Sequence, residues 1–123
     1  MNTILVVEDN EMMRENTTEI LELSRYNVLS AGNCCMGIEL AEKNHPDLII
    51  CDVRMKEIDG VCSFEKLNNT AKEKKIPVIV LTTDKEKSEI TGPASGTHDG
   101  ALNKPYHGDE LLEMVALFLP SLL

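Results

Sequence analysis

The sequence predicts an α/β domain with a five-stranded parallel sheet and helices on both faces. Three observations carry that prediction. The apolar runs Ile4-Leu5-Val6-Val7, Leu48-Ile49-Ile50-Cys51 and Val78-Ile79-Val80-Leu81 show no polar alternation and are rich in branched residues, as strands buried on both faces require. Helical patterns lie between the runs, so successive strands are joined by right-handed crossovers rather than hairpins. Polar residues fall just beyond the runs, at the carboxyl ends where open parallel sheets bind ligands.

Taken in order, the first run is a central strand and is followed by a helix carrying Met13, Ile20 and Leu23 on its apolar side. Asn27 to Ala31 is a weaker strand, suited to a sheet edge. Asn33 is placed to cap a second helix with Cys34, Ile38 and Ala41 inward. After the second central strand comes a third helix, marked by Val61, Phe64 and Leu67. The fourth helix fits poorly, because Thr91-Gly92-Pro93-Ala94-Ser95-Gly96 puts two glycines and a proline where it should run. It is expected to cover only Lys85 to Thr91, or to be irregular and mobile. Ala101-Leu102 is a short second edge strand. The last helix has the clearest pattern: Leu111, Met114, Val115 and Phe118 share one face, Asp109 and Glu110 favour its N-terminus, and Pro120 ends it.

A chain of 123 residues is enough for one core and too short for a regulatory domain joined to an output domain, so residues 1–123 are expected to form one domain. The formal charge of −9 would repel a phosphate backbone, which argues against direct nucleic-acid binding. With aromatics at only 3%, the interior must be aliphatic. The opening Met1-Asn2-Thr3 has no basic segment, Glu8-Asp9 follows after only four apolar residues, and no apolar run approaches a membrane span. A cytoplasmic setting without membrane insertion is expected. Cys34, Cys35, Cys51 and Cys62 lack C-x-x-C spacing, so paired disulfides are not expected there. A redox or metal role for Cys34-Cys35, with or without His45, weighs less than small half-buried side chains near a helix start. His45, His98 and His107 lack metal-ligand spacing and read as loop or helix-end residues. The six methionines read mainly as gap fillers, and Lys72 to Lys75 as a solvated helix end.

The strand ends carry the chemistry. Glu8-Asp9 follows the first strand, Asp52 ends the third, Thr82 ends the fourth and Lys104 follows the fifth. Any one of these alone is more often a solvated loop residue, but four matched ends are hard to reconcile with that reading. Three carboxylates at one mouth repel one another, so they raise their pKa values or demand a cation, and hard oxygens with room for water suit Mg²⁺. Mg²⁺ typically takes one or two carboxylates, which leaves another available as a nucleophile towards phosphorus. A lysine ammonium and a threonine hydroxyl would neutralise the transferring phosphoryl oxygens.

With these residues assembled, the whole chain resembles the receiver domain of bacterial two-component response regulators. The resemblance rests on the acidic pair after strand one, Asp52-Val-Arg-Met-x-x-x-Asp-Gly60, Val-Ile-Val-Leu-Thr ending at Thr82, and Asn-Lys-Pro-Tyr around Lys104. Thirty residues separate Asp52 from Thr82 and twenty-two separate Thr82 from Lys104, as in receivers. The resemblance implies a flavodoxin-like sheet of order 2-1-3-4-5. It implies that Asp52 accepts a phosphoryl group from a sensor histidine kinase or a histidine phosphotransfer protein. Metal ligation falls to Glu8, Asp9, Asp52 and the backbone carbonyl of Arg54, Glu8 acting directly or through water, while Thr82 and Lys104 hold the phosphoryl oxygens. A cis Lys104-Pro105 bond would aim Lys104 inward. Such a protein is no enzyme in the ordinary sense, since it promotes only its own phosphorylation and dephosphorylation. Its output partner, or a second copy, would dock on the face of the fourth helix, fifth strand and fifth helix.

Several residues depart from the family pattern. Glu8 stands in an aspartate position, Lys56 follows Met55 where proline is usual, and Thr83 replaces an alanine beside the phosphoryl site. Ala101 occupies the position of a switching Tyr or Phe, so signalling must use backbone loops or the fourth helix. Tyr106 is either part of the partner face or a partly exposed anchoring aromatic. Rival functions are weaker. A phosphatase with an Asp nucleophile would want D-x-D after strand one, and a flavin carrier would want a Ser/Thr-rich phosphate loop there. The serious alternative is a pseudo-receiver, a protein-interaction module not regulated by phosphorylation. Ala101 and the broken fourth helix favour it; the intact acids, Thr82 and Lys104 oppose it.

Overall fold

The structure is a computed structural model that describes residues 2–52, 62–82, 100–104 and 106–119. Its elements alternate strictly over most of the chain: β1 (Thr3–Val7), α1 (Glu11–Leu23), β2 (Asn27–Ala31), α2 (Cys34–Asn44), β3 (Leu48–Asp52), α3 (Phe64–Glu73), β4 (Val78–Thr82), β5 (Gly100–Asn103) and α4 (Gly108–Phe118). The expected fourth helix, Arg54, Lys56, Val61, Thr83, His98 and the Lys104-Pro105 bond with its proline lie outside the described residues.

All strand pairings are parallel and the sheet runs β2-β1-β3-β4-β5. The order follows from the residues. β3 and β4 are buried along their whole length, as uninterrupted apolar runs must be, whereas β2 is exposed at Asn27 and Ser30 and sits at an edge. Side chains alternate between two cores. Ile4, Val6, Ile50, Ile79 and Leu81 face α1 and α4, packing with Leu21, Leu111 and Val115. Leu5, Val7, Ile49, Cys51, Val78 and Val80 face α2 and α3, packing with Ala41, Leu67 and Ala71. The result is a doubly wound, flavodoxin-like α/β domain, as the sequence predicts.

Local chemistry sets the helix ends. Asn10, Asn33 and Ser63 cap α1, α2 and α3, accepting from the backbone amides of Met13, Met36 and Lys66. Arg25, His45 and Lys75 take left-handed φ values of 70°, 50° and 60° at the exits of α1, α2 and α3. At two of those exits the next amide reaches back into the helix, Tyr26 to the carbonyl of Leu21 and Ile76 to that of Ala71, which turns the chain into the following strand. Gly37 lets α2 lie close on the sheet: a Cβ there would stand 2.9 Å from Val7 Cγ2.

Two expectations are corrected. In α1 Ile20 packs against the core as expected, but the fully buried residues are Thr17 and Leu21, and Leu23 is 78% exposed because two residues beyond Leu21 is about 200° around the helix. Cys35 and Cys62 form a disulfide, with Cα atoms 5.2 Å apart. Linear spacing gave no sign of this pair, because α2 and α3 pack side by side and bring together residues 27 positions apart. Cys34 and Cys51 are unoxidised and buried. His45 ends α2, opposite the end that carries Cys34-Cys35, so those three residues do not converge.

Candidate functional site

Strand order reverses between β1 and β3, since β1 pairs with β2 on one side and β3 on the other. Ligands of doubly wound sheets bind beyond such a switch point, at the carboxyl ends. Val7 pairs with Cys51, so the next residues, Glu8 and Asp52, leave adjacent strands side by side. Asp52 pairs with Leu81, which sets Thr82 one step beyond it, and Thr82 pairs with Asn103, after which comes Lys104.

The acids converge. Carboxylate oxygens of Glu8, Asp9 and Asp52 lie within 4.8 Å of one another, and Asp9 is exposed while the other two are buried. Lys104 Nζ donates to Asp52 Oδ2 at 2.7 Å, a contact in which the Asp52 side chain is 4% exposed. The backbone holds that lysine in place, because its amide donates to the carbonyl of Thr82 at 2.6 Å. Thr82 itself is fully buried. Of the residues singled out from the sequence, Glu8, Asp9, Asp52, Thr82 and Lys104 therefore stand at one end of the sheet; Arg54 lies outside the described residues.

Glu8 is held by residues that pattern reading passed over. The amide of Asn10 donates to Glu8 Oε1 at 3.2 Å, and Arg14 donates to the Glu8 carbonyl at 2.9 Å. Neither contact has a signal in residue type, since the Asn10 donor is its backbone amide and nothing local marks Arg14. Glu8 Oε2 is buried without a donor. Burial, a hydrogen bond with Asp52 and the Asp52 charge raise the Glu8 pKa from 4.5 to about 8, against the lowering effect of the Asn10 amide and Lys104. Two carboxylates bond to one another only through a proton, so the site holds either that proton or a cation. Hard oxygen donors with one buried oxygen unsatisfied fit a divalent metal such as Mg²⁺.

This has a measurable consequence. A carboxyl whose folded pKa is raised stabilises the fold fully below its ordinary pKa, and that contribution is lost as pH climbs to the raised value. The metal-free protein is therefore expected to lose stability between about pH 4.5 and about pH 8, by at most about 1.4 kcal/mol per pH unit from this group. The groups around Glu8 are Asp52, Asp9, Lys104, Arg14 and Tyr106, so the comparison needs a variant in which Glu8 alone cannot ionise. Thermal melts in chelator across that range should slope downwards for the native chain and be flatter for Glu8→Gln. Equal slopes would mean that Glu8 holds no extra proton.

Tyr106 packs against the α1–α4 core and shares a hydrogen bond with Thr17 of α1. It thus ties the entry of α4 to α1 as an anchoring aromatic, and burial raises its pKa. Ala101 is half-buried against the opposite core, where it has no rotamer to switch. Cys51, beside Asp52, has its thiol pKa pushed well up by a hydrogen bond with Cys34 and by burial. His107 precedes α4 and His45 ends α2, both at helix ends as expected.

Residues 4–116 match the response regulator receiver domain. The chain belongs to that family. Among curated proteins, this receiver domain is 33% identical to Protein PilH of Pseudomonas aeruginosa over 94% of its own length and 95% of the relative's. It also resembles the solved chemotaxis protein CheY4 of Vibrio cholerae, at 28% identity and a TM-score of 0.79, covering 97% of this chain and 99% of the other. A likeness in fold alone, at 21% identity and a TM-score of 0.83 over 98% of both chains, links it to the receiver domain of sensor histidine kinase PA1611 from Pseudomonas aeruginosa, which has a magnesium ion coordinated in its active site cleft.

Proposed function

We propose that this receiver domain, spanning residues 1–123, accepts a phosphoryl group on Asp52 from the phosphohistidine of a sensor histidine kinase or histidine phosphotransfer protein. The observation that carries the reading is the contact of Lys104 Nζ with Asp52 Oδ2 at 2.7 Å, made where the Glu8 and Asp9 carboxylates converge. A carboxylate oxygen of Asp52 forms the bond to phosphorus as the bond from phosphorus to the donor's imidazole nitrogen breaks, and the electron pair returns to that nitrogen. Lys104 and the Thr82 hydroxyl take up charge on the phosphoryl oxygens. Glu8, Asp9, Asp52 and, as the resemblance implies, the backbone carbonyl of Arg54 would hold Mg²⁺. When bound, the metal would neutralise the carboxylates and the developing phosphoryl charge. The protein promotes only its own phosphorylation and dephosphorylation.

No helix among the described residues is long and apolar enough to cross a membrane. The proposed signalling role is a cytoplasmic one. The output partner or a second copy docks beside β5 and α4, where Leu117 is 77% exposed and lines a groove with Leu102 and Met114. The reading is tested by incubating the protein with Mg²⁺ and acetyl phosphate, recording the intact mass, and mapping the adduct after borohydride reduction. One phosphoryl group on Asp52, lost in chelator, is the expected result. No adduct from acetyl phosphate, none from a phosphorylated histidine phosphotransfer domain, and no Mg²⁺ binding would favour a pseudo-receiver acting only by contact.

A further inference from the structure

The cysteines divide into two kinds. Cys34 and Cys51 are buried, whereas Cys35 and Cys62 are partly exposed and bonded to each other. Cys35 is the second residue of α2, and Cys62 directly precedes Ser63, the N-cap of α3. Both sulfurs thus sit at helix N-termini, where the aligned peptide dipoles favour a thiolate, the form that attacks and leaves in thiol–disulfide exchange. The bond joins the first turn of α2 to the residue before the N-cap of α3. In a reducing compartment an accessible disulfide is typically transient or redox-sensing rather than structural.

We propose that Cys35 and Cys62 form a reversible redox couple whose state sets how readily the Asp52 site binds Mg²⁺ and accepts a phosphoryl group. This rests on the receiver reading above. In the reducing direction, a low-molecular-weight thiol attacks one sulfur, the Cys35–Cys62 bond breaks, and a mixed disulfide forms. A second thiol resolves it, so that two small thiols become one small disulfide and the protein gains two thiols, with two electrons and two protons transferred. Oxidation by a small disulfide is the reverse. The bond fixes the starts of α2 and α3 to each other, and Cys34, next to Cys35, is hydrogen-bonded to Cys51, the residue before Asp52. With α2 so fixed, less freedom is lost when Glu8, Asp9 and Asp52 gather around a metal, so the oxidised form binds Mg²⁺ more tightly and phosphorylates faster, each by about threefold to tenfold.

The test equilibrates the full chain in glutathione buffers of graded ratio, traps thiols with an alkylating reagent, and maps each cysteine by mass spectrometry. Mg²⁺ affinity by calorimetry and the acetyl phosphate reaction rate are then measured on fully oxidised and fully reduced protein, and on Cys35→Ser/Cys62→Ser under both conditions. Expected are joint titration of Cys35 and Cys62, Cys34 and Cys51 unmodified in the folded protein, and tighter Mg²⁺ binding with faster uptake on oxidation, a response absent from the double variant. A pair that does not re-form after reduction, or equal Mg²⁺ affinity and rate in the two states, overturns the proposal. If Asp52 takes no phosphoryl group in either state, the receiver reading fails separately, and the Mg²⁺ affinities alone decide the coupling.

Discussion

Asp52→Asn is expected to reduce phosphoryl uptake to below detection while leaving the fold in place. Asparagine has the shape of the aspartate, so β3 keeps its pairing with β1 and β4, but the amide lacks the anionic oxygen that bonds to phosphorus. Two further effects separate loss of the nucleophile from general damage. Lys104 loses the charged partner it holds at 2.7 Å. Glu8 loses both the hydrogen bond and the repulsion that, together with burial, raise its pKa, so the value should fall towards the ordinary carboxylate range. The variant should therefore show a native circular dichroism spectrum, no phosphoryl adduct with acetyl phosphate and Mg²⁺, and a flatter pH dependence of melting in chelator. An adduct at the native level would remove Asp52 as the acceptor.

The fold was legible because its signals are local and redundant. The runs at Ile4, Leu48 and Val78 have no alternate face to expose, and Asn27 to Ala31 and Ala101-Leu102 are too polar or too short for the middle of the sheet, which left them only the edges. The convergence of Glu8, Asp9, Asp52, Thr82 and Lys104 was legible for a related reason: in a parallel sheet every strand's carboxyl end faces the same way, so strand-terminal residues must share one mouth. Less of the helices could be read, because the buried stripe of α1 runs through Thr17 and Leu21, and a polar threonine gives no sign that it lies inward, while the apolar Leu23 lies outward. The support of Glu8 by Asn10 and Arg14, and the Thr17–Tyr106 bond, were hidden for another reason. They join groups whose partners depend on side-chain reach. The Cys35–Cys62 bond needed the packing of α2 against α3, which no motif encodes.

Lys104→Met is expected to move two properties of the site in opposite directions. Methionine keeps the length and apolar stem of lysine and removes only the ammonium, so the β5 end can stay anchored through the backbone bond to Thr82. Without that charge the phosphoryl oxygens lose a fixed electrostatic partner, and uptake from acetyl phosphate should slow by about 10²–10³-fold. In chelator, Asp52 is left beside Glu8 and Asp9 with no cation, costing about 1–3 kcal/mol of stability. That figure is below the cost for a fully enclosed pair because the Lys104 side chain is 17% exposed. The same loss removes the competitor of a divalent ion. Lys104 lowers the Glu8 pKa and neutralises Asp52, so its absence leaves the carboxylate cluster more negative towards Mg²⁺, and affinity should rise by about tenfold at a pH above the Glu8 pKa. Calorimetric titration and the uptake rate, measured on the same variant, separate the two roles a lysine could have here. Slower uptake with tighter Mg²⁺ binding means that Lys104 acts on the transferring group, whereas slower uptake with weaker Mg²⁺ binding means that it assembles the acidic site itself.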